Sequence, residues 1–429
     1  MNVLFVHQNF PGQYPHLAQA LAQQGHRVIG LGEKANLQNR PDLPGVTRIG
    51  YPTPQSGHPN THQYLRDFEG QVRRGQQIVR SLLNLKNQGF VPDLIYAHPG
   101  WGELLYIKDV YPQVPLVGLF EFYYHGRDQD VGFDSEFAAQ PLLELDSQCR
   151  IRTKNVNNLL ALEAVDLGIC PTHYQKSVMP IAFQDKLTVI HDGINTNVAI
   201  PNPQAQLSLP SEAATIALNH STEVITFVNR NLEPYRGYHT FMRCLPRLLQ
   251  ERPQAQVVLV GGDGVSYGAA APPNQTWKAT FLQEVQTDLD LTRVHFVGKV
   301  PYSQLIQLFQ VSSVHVYLTY PFVLSWSMLE AMSCGCLVVG SRTPPVEELI
   351  RAGENGLLVD FFDSNAIVDQ INAVMTHPTR MQSLRAAARR TIVENYDLQT
   401  VCLPQQLALI QQILPATAAG FSQNLSNQK

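Results

Sequence analysis

Short apolar runs alternate with stretches of helical periodicity along most of the chain. Asn2–Val6 is the first run. QNFPGQYPHLAQALAQQGHRVIGL follows: a glycine-bearing loop, a helix with Leu17, Ala20 and Leu21 at i, i+3, i+4 spacing, a turn at Gly25 and a second strand. A Pro-, His- and Asn-rich loop over 51–65 leads to a predicted helix from about Leu65 to Leu85, then a buried strand over 92–97. Pro115–Phe120 is the next strand, and a helix is expected from Arg150 to Ala164. Two short strands, LGIC and KLTVI, close the first series, and the HDGIN after them reads as a turn, with His191 and Asp192 bonding backbone. The pattern then restarts at Val224–Asn229. It continues through helix HTFMRCLPRLL, strand Gln256–Val260, strand RVHFV, helix YSQLIQLFQVSS, strand VHVYL, short helix SMLEAMSCG and strand CLVVG. Strands alternating with helices predict parallel sheets covered on both faces.

That repetition predicts two α/β domains. The first spans 1–197. Residues 198–222 lose periodicity, gain Pro and Ser, and read as the linker. The second domain spans 223–400. A last helix over 401–416 is expected to pack back on the first domain, and 417–429 is polar and expected to fray.

Composition narrows the class. A chain of 429 residues that is 44% hydrophobic and 15% charged suits a globular protein with two cores. A net charge of −4 leaves no basic surplus to argue for nucleic acid. The six cysteines are scattered, and Cys334-Gly-Cys336 lacks a second ligand pair at metal spacing, so buried thiols in a reducing cytosol are expected. MNVLFVHQNF has no basic leader and reads as a strand. No apolar run is long enough to span a membrane. The expectation is a cytoplasmic protein, with peripheral contact at the inner face of a membrane left open.

The candidate chemistry gathers at predicted strand ends. In YLTYPFVLSWSMLEAMSCGCLVVGS, Ser325, Trp326 and Ser327 stand where a helix begins, so free N–H groups there suit an anion. Glu330 points back toward that anion, or closes a Ser327-x-x-Glu330 capping box. Arg230 and Arg236, six residues apart with Gly237 opening the next helix, can converge on a diphosphate. Gly262 lies in a glycine loop without the G-x-G-x-x-G pattern, which argues against a dinucleotide. The VSYGAAAPPNQTW that follows reads as a mobile surface loop. In the first half, Gly12 lets a ligand approach the backbone, or makes a turn. His98 follows a strand in HPGWGE, braced by Pro and Gly, with Trp101 as a stacking face or core. Glu121, His125 and Asp130 lie in an aromatic, acidic stretch suited to carbohydrate hydroxyls and ring faces. Nothing fixes a separation between two acids, so a two-carboxylate hydrolase is not indicated.

LEAMSCGCLVVGS followed by PPVEELIRAGENGLLV resembles the nucleotide-sugar signature of the GT-B glycosyltransferases, specifically glycosyltransferase family 4 (group 1). The segments HPGWGE and YPFVLSWSMLEAMSCG point to a bacterial subgroup. The resemblance covers nearly the whole chain and is tighter in the second half. It implies two Rossmann-like doubly wound domains facing a central cleft. It implies retaining, metal-independent transfer of a hexose from a nucleoside-diphosphate sugar, UDP- or GDP-linked, to a hydroxyl of a glycan, glycolipid or small molecule, with no other cofactor. By that resemblance Glu330 holds the ribose, and Arg230 and Arg236 the diphosphate, Arg236 standing where the family has lysine. The backbone at Val300 meets the base, Gly12 lies near donor phosphate or acceptor, and His98 contacts the transferred sugar. Glu348 matches a second family glutamate. Phe322 departs from the pattern: it occupies the place of a glutamate facing the sugar, eight residues before Glu330. Two alternatives stay open, a non-catalytic nucleotide-sugar-binding protein and a GT-B nucleotide-sugar epimerase.

Overall fold

The computed structural model describes residues 1–38, 40–127, 129–137, 141–210 and 215–414. They divide into two compact units, Met1–Asp192 with the segment from Gln399 onward, and Gly193–Leu398.

The first unit holds β1 (Asn2–Val6), α1 (Pro15–Gln23), β2 (Arg27–Glu33), α2 (Lys34–Leu37), β3 (Val46–Tyr51), α3 (Arg66–Asn87), β4 (Leu94–Ala97), α4 (Ile107–Val110), β5 (Leu116–Leu119), α5 (Pro141–Lys154), α6 (Val156–Ala164), β6 (Leu167–Cys170), α7 (His173–Ser177) and β7 (Leu187–Val189). The strands form one parallel sheet in the order β3-β2-β1-β4-β5-β6-β7. Alternation along β1 sends Leu4 and Val6 to the face packed by Ile78 and Leu82 of α3 and Leu162 of α6. Val3 and Phe5 go to the face packed by Leu17 and Leu21 of α1. Because both faces are covered, the strands read as unbroken apolar runs.

The helix expected over 150–164 is two helices. Asn155 interrupts it, donating from Nδ2 to the Tyr124 carbonyl (2.6 Å) and accepting at Oδ1 from the Tyr124 N–H (3.2 Å). A side chain that bonds backbone elsewhere competes with helix continuation.

The second unit holds β8 (Gln206–Pro210), β9 (Thr215–Asn219), β10 (Val224–Asn231), α8 (Tyr238–Glu251), β11 (Gln256–Gly262), α9 (Trp277–Val285), β12 (Val294–Phe296), α10 (Tyr302–Val311), β13 (Val314–Tyr317), α11 (Trp326–Ser333), β14 (Val338–Ser341), α12 (Pro344–Glu347), β15 (Leu357–Val359), α13 (Ser364–Thr376) and α14 (Gln382–Tyr396). Its main sheet is parallel, in the order β12-β11-β10-β13-β14-β15. The stretch read as a linker, 198–222, is not one. It carries the antiparallel pair β8–β9, and Ala199, Ala205, Leu207, Leu209 and Leu218 are buried in the core of this unit. Its loss of helical periodicity is that of a hairpin.

The chain then returns to the first unit. Helix α15 (Leu403–Ile413) lays Leu409 and Ile410 beside Leu17 and Leu21 of α1. The expected end of this helix at 415–416 and the tail at 417–429 lie outside the described residues. No helix among the described residues is long and apolar enough to cross a membrane. The cysteines are free, and Cys149 is the exposed one.

Within each unit, counting its sheet strands in chain order, the first six run 3-2-1-4-5-6. The order reverses between the first and fourth strands, β1 and β4 in one unit and β10 and β13 in the other. The loops at the carboxyl ends of those strands diverge there, which is where doubly wound sheets take their ligands.

Candidate active site

The loops after β1, β4 and β5 assemble one cluster in the first unit. His98, just past β4, is buried. Its Nδ1 accepts the Gly100 N–H (3.0 Å), so the neutral ring carries its proton on Nε2, which donates to Glu121 Oε2 (3.1 Å). Burial lowers the His98 pKa, but the hydrogen bond and charge of Glu121, helped by Glu103, outweigh it and the pKa is raised. The Gly100 N–H opposes a second proton at Nδ1 and fixes the tautomer. Burial also pushes the Glu121 carboxyl up, yet its bonds to His98 and Gln13 outweigh this and hold it below the ordinary value. Gln13 Nε2 donates to Glu121 Oε1 (2.8 Å), so Glu121 is gripped from the β1 loop as well. Trp101 stacks on His98, with centroids 4.7 Å apart and planes 26° apart.

Beneath these groups lies Glu103, with no exposed surface. Its carboxylate takes the Gln8 N–H (3.0 Å) and the Trp101 N–H (3.1 Å), fastening the β1 loop to the β4 loop. Asparagines at the start of α6 do the same from another side. Asn157 Nδ2 donates to the Pro99 carbonyl (2.7 Å) and Asn158 Nδ2 to the Phe122 carbonyl (3.2 Å). His7, buried at the end of β1, has its ring 5.0 Å from that of His98. Burial first, and His98 second, bring the His7 pKa down to about 3, so it is neutral. Gly12 has φ +54°, and a Cβ there would meet the His7 ring at 2.5–2.8 Å, so only glycine lets the loop close over that ring.

Two first-half candidates fall elsewhere. The exposed His125 bonds through Nε2 to the Val178 carbonyl (2.9 Å), a tie between loops rather than a part of the His98 cluster. Asp130 is buried, within electrostatic reach of Lys154 and Tyr174.

In the second unit, Arg230 is exposed at the end of β10 and has no hydrogen bond or ion pair among the described residues. Arg236 is buried. Its Nη1 reaches Thr319 Oγ1 (2.8 Å), the Val323 carbonyl (2.9 Å) and the Tyr317 hydroxyl (3.3 Å), and its guanidinium lies over the rings of Tyr267 (4.9 Å) and Phe322 (5.7 Å). Among the described residues no carboxylate comes within ion-pair distance of it. The nearby Glu233 turns its oxygens to the backbone of 266–268 instead. The buried Phe322 is packed by Tyr235 and Tyr267 and supplies no charge.

Helix α11 begins at Trp326 with Ser325 as its N-cap, whose Oγ accepts the Ser327 N–H (3.3 Å). The capping box centred on Ser327 therefore does not form. Glu330 lies beyond the first turn rather than on it, buried, with the Tyr302 hydroxyl as its side-chain partner. Burial raises its pKa to about 7. Trp326 is exposed at the helix tip. Gly262 closes β11, and a Cβ there would stand 2.7 Å from Asn231 Oδ1 and 3.0 Å from Lys299 Cε, so that loop needs the missing side chain. Val300 follows Lys299, partly buried against the core. The Glu348 side chain is half-buried at the end of α12.

The stretch read as a mobile loop is anchored at its near end. Glu233 holds the N–H groups of Ser266, Tyr267 and Gly268, and Asn231 Nδ2 donates to Ser266 Oγ (2.6 Å). Sequence reasoning missed Glu103, Gln13, Asn157, Glu233, Tyr267 and Tyr302. The run KNVNN was the one visible sign of the asparagine clamps.

Two family models match the chain: "Glycosyl transferase family 4 group" over residues 24–199 and "Glycosyl transferases group 1" over 211–391. The D-inositol 3-phosphate glycosyltransferase of Thermobispora bispora is 24% identical over 215 residues, 48% of this chain and 46% of that protein. The chain thus spans about half the length of the curated relatives it matches. Among solved structures, sucrose-phosphate synthase from Thermosynechococcus elongatus superposes with TM-score 0.70 at 18% identity, covering 96% of this chain and 99% of that one. HepE of Anabaena, solved with UDP and with UDP-glucose, superposes with TM-score 0.64 at 17% identity in both forms, covering 96% of this chain and at least 99% of HepE. At these identities the likeness shows the fold, which is GT-B.

Proposed function

The chain belongs to the GT-B group 1 glycosyltransferases, and from that premise we propose that it moves a hexose from a nucleoside-diphosphate sugar to an acceptor hydroxyl, with retention and without a metal in the site. Arg236 carries this reading. It is a buried guanidinium at a topological switch point, and no described carboxylate neutralises it. A buried charge is costly unless it is paired. A pyrophosphate lying across Arg236, the exposed Arg230 and the N–H groups opening α11 supplies the counter-charge. The Anabaena neighbour solved with UDP and UDP-glucose supports a nucleotide sugar as donor, UDP- or GDP-linked.

In this reading Glu330, once ionised, accepts the ribose hydroxyls, and the backbone near Gly262 and Val300 meets the base. The acceptor oxygen bonds to the anomeric carbon as the bond to the β-phosphate breaks, on the same face. The departing phosphate oxygen takes the acceptor's proton. Charge growing on the diphosphate is stabilised by Arg230, Arg236 and the α11 amides, which need no reorganisation. Both ring nitrogens of His98 are engaged, so a sugar hydroxyl reaches the ring by exchanging with Glu121 at Nε2. Glu121 and Gln13 position that nitrogen. The acceptor is a glycan, glycolipid or small molecule, and the reading is of a cytoplasmic enzyme working there or at the inner face of a membrane.

Incubation with UDP- and GDP-sugars and a panel of hydroxyl acceptors tests this. Acceptor-dependent nucleotide release is expected, with a product of unchanged anomeric configuration by NMR. Nucleotide-sugar binding with neither transfer nor hydrolysis across the panel would contradict it, and acceptor-free isomerisation would replace it with an epimerase.

A further inference from the structure

Glu233 has no exposed surface, and its carboxylate holds three consecutive amides of the segment after β11. Oε1 takes the Ser266 N–H (3.0 Å), and Oε2 takes those of Tyr267 and Gly268 (3.2 Å each). Trp277 Nε1 grips the Ala269 carbonyl from the far side (2.9 Å). This anchoring sets one side chain. The Tyr267 ring sits over the Arg236 guanidinium at 4.9 Å and beside the Phe322 ring at 5.0 Å, inclined by 57°. Arg236 and Phe322 are 4% and 3% exposed, whereas Tyr267 is 38% exposed. Of the two rings packed on the Arg236 guanidinium, Tyr267 is therefore the exposed one, backed by the buried Phe322.

Its position along the chain gives it a direction. Phe322 stands three residues before the Ser325 N-cap and Glu330 five residues after it. A pyrophosphate held at Arg236 would lie beside the Tyr267 and Phe322 rings, and the helix that opens at Ser325 carries the Glu330 carboxylate. The carboxylate suits a diol. The ring faces offer no acceptor for hydroxyls, and a hydroxyl buried against them without a partner is destabilising. They suit the apolar C–H face of a sugar ring.

We propose that Tyr267, backed by Phe322, is the platform on which the pyranose of the nucleotide sugar stacks, so that this enzyme reads the face of its donor sugar rather than the hydroxyls on that edge. The proposal rests on the donor reading above and adds a subsite to it. Tyr267 touches the sugar ring, and Glu233 acts through it as a positioning residue.

Calorimetric titration of the full chain with UDP, UDP-glucose, GDP and GDP-mannose tests it, using wild type, Tyr267→Phe, Tyr267→Leu and Tyr267→Ala. Tyr267→Ala should bind the free nucleotide diphosphate within about twofold of wild type. Its Kd for the matching nucleotide sugar should rise by about tenfold, the scale of a lost aromatic contact. Tyr267→Phe should keep the wild-type ratio of sugar-conjugate to diphosphate affinity, and Tyr267→Leu should fall between wild type and Tyr267→Ala. Equal weakening of diphosphate and sugar conjugate would overturn the platform, because the ring would then serve the nucleoside or merely cover Arg236. Unchanged sugar affinity in Tyr267→Ala would overturn it too. Failure of wild type to bind any nucleotide would remove the donor reading itself, a distinguishable outcome.

Discussion

Replacing Glu330 by Gln separates stability from binding. Burial holds this carboxyl at about 7 against an ordinary 4.5, with the Tyr302 hydroxyl pulling weakly the other way. The folded protein therefore keeps the proton more tightly than the unfolded chain. The resulting stabilisation is complete below pH 4.5 and disappears as pH rises through about 7. Above pH 8 the ionised group costs the fold about 3 kcal/mol, an upper figure because relaxation and water reduce it. Glutamine mimics the protonated acid and does not titrate. In thermal or urea denaturation at pH 5, variant and wild type should nearly coincide. At pH 8 the variant should be the more stable, by a melting shift on the order of 5–10 °C. Binding should move the other way. Ribose hydroxyls donate best to the ionised form, so wild-type UDP affinity should climb between pH 6 and 8 relative to the variant. The comparison is made between proteins because the diphosphate itself titrates in both. A variant less stable than wild type at pH 8, or equal nucleotide affinity at that pH, would refute the assignment of a buried carboxylate kept for a ligand.

Other expectations follow from the same geometry. Arg230→Ala removes an exposed side chain without described partners, so melting should stay within about 1 °C while UDP or GDP Kd rises about tenfold or more. Arg236→Ala orphans the acceptors Tyr317, Thr319 and Val323 and should lower both stability and affinity. With Arg230→Ala added, nucleotide binding should vanish in calorimetry. His98→Ala should abolish transfer while leaving nucleotide affinity intact. Glu121→Gln should lower the His98 pKa seen by NMR, because the carboxylate charge that opposes burial is gone. Asn157→Ala frees the Pro99 carbonyl and should reduce kcat more than donor KM, with the acid limb of the pH profile displaced downward as the His98–Glu121 contact loosens.

What the sequence could reveal was decided by range. Strands such as Asn2–Val6 and helices such as α10 announce themselves through neighbours one to four residues away, and the loops that end β10 and β13 were visible as Arg236-Gly237 and the serines before α11. The hairpin β8–β9 was hidden because alternation over five residues beside prolines reads as loop. The anchoring of 266–268 was hidden because Glu233 lies 33 residues before Ser266. Asn157 meets the Pro99 carbonyl across 58 residues, so no local pattern could disclose the clamp on the His98 loop. Local reasoning left the cap of α11 open between Ser325 and Ser327; Ser325 takes it, and its own N–H is accepted by the Tyr317 hydroxyl at 2.8 Å.

The central claim is that the second unit grips a pyrophosphate with Arg230, Arg236 and the tip of α11 while Glu330 holds the adjoining ribose. A crystal structure of the protein with UDP or GDP is its most direct test. The expected result is phosphate oxygens bonded to both guanidinium groups and to the amides at Ser325–Ser327, with the ribose diol on the Glu330 carboxylate. A nucleotide bound elsewhere, with Glu330 still engaged by Tyr302 alone, would contradict it.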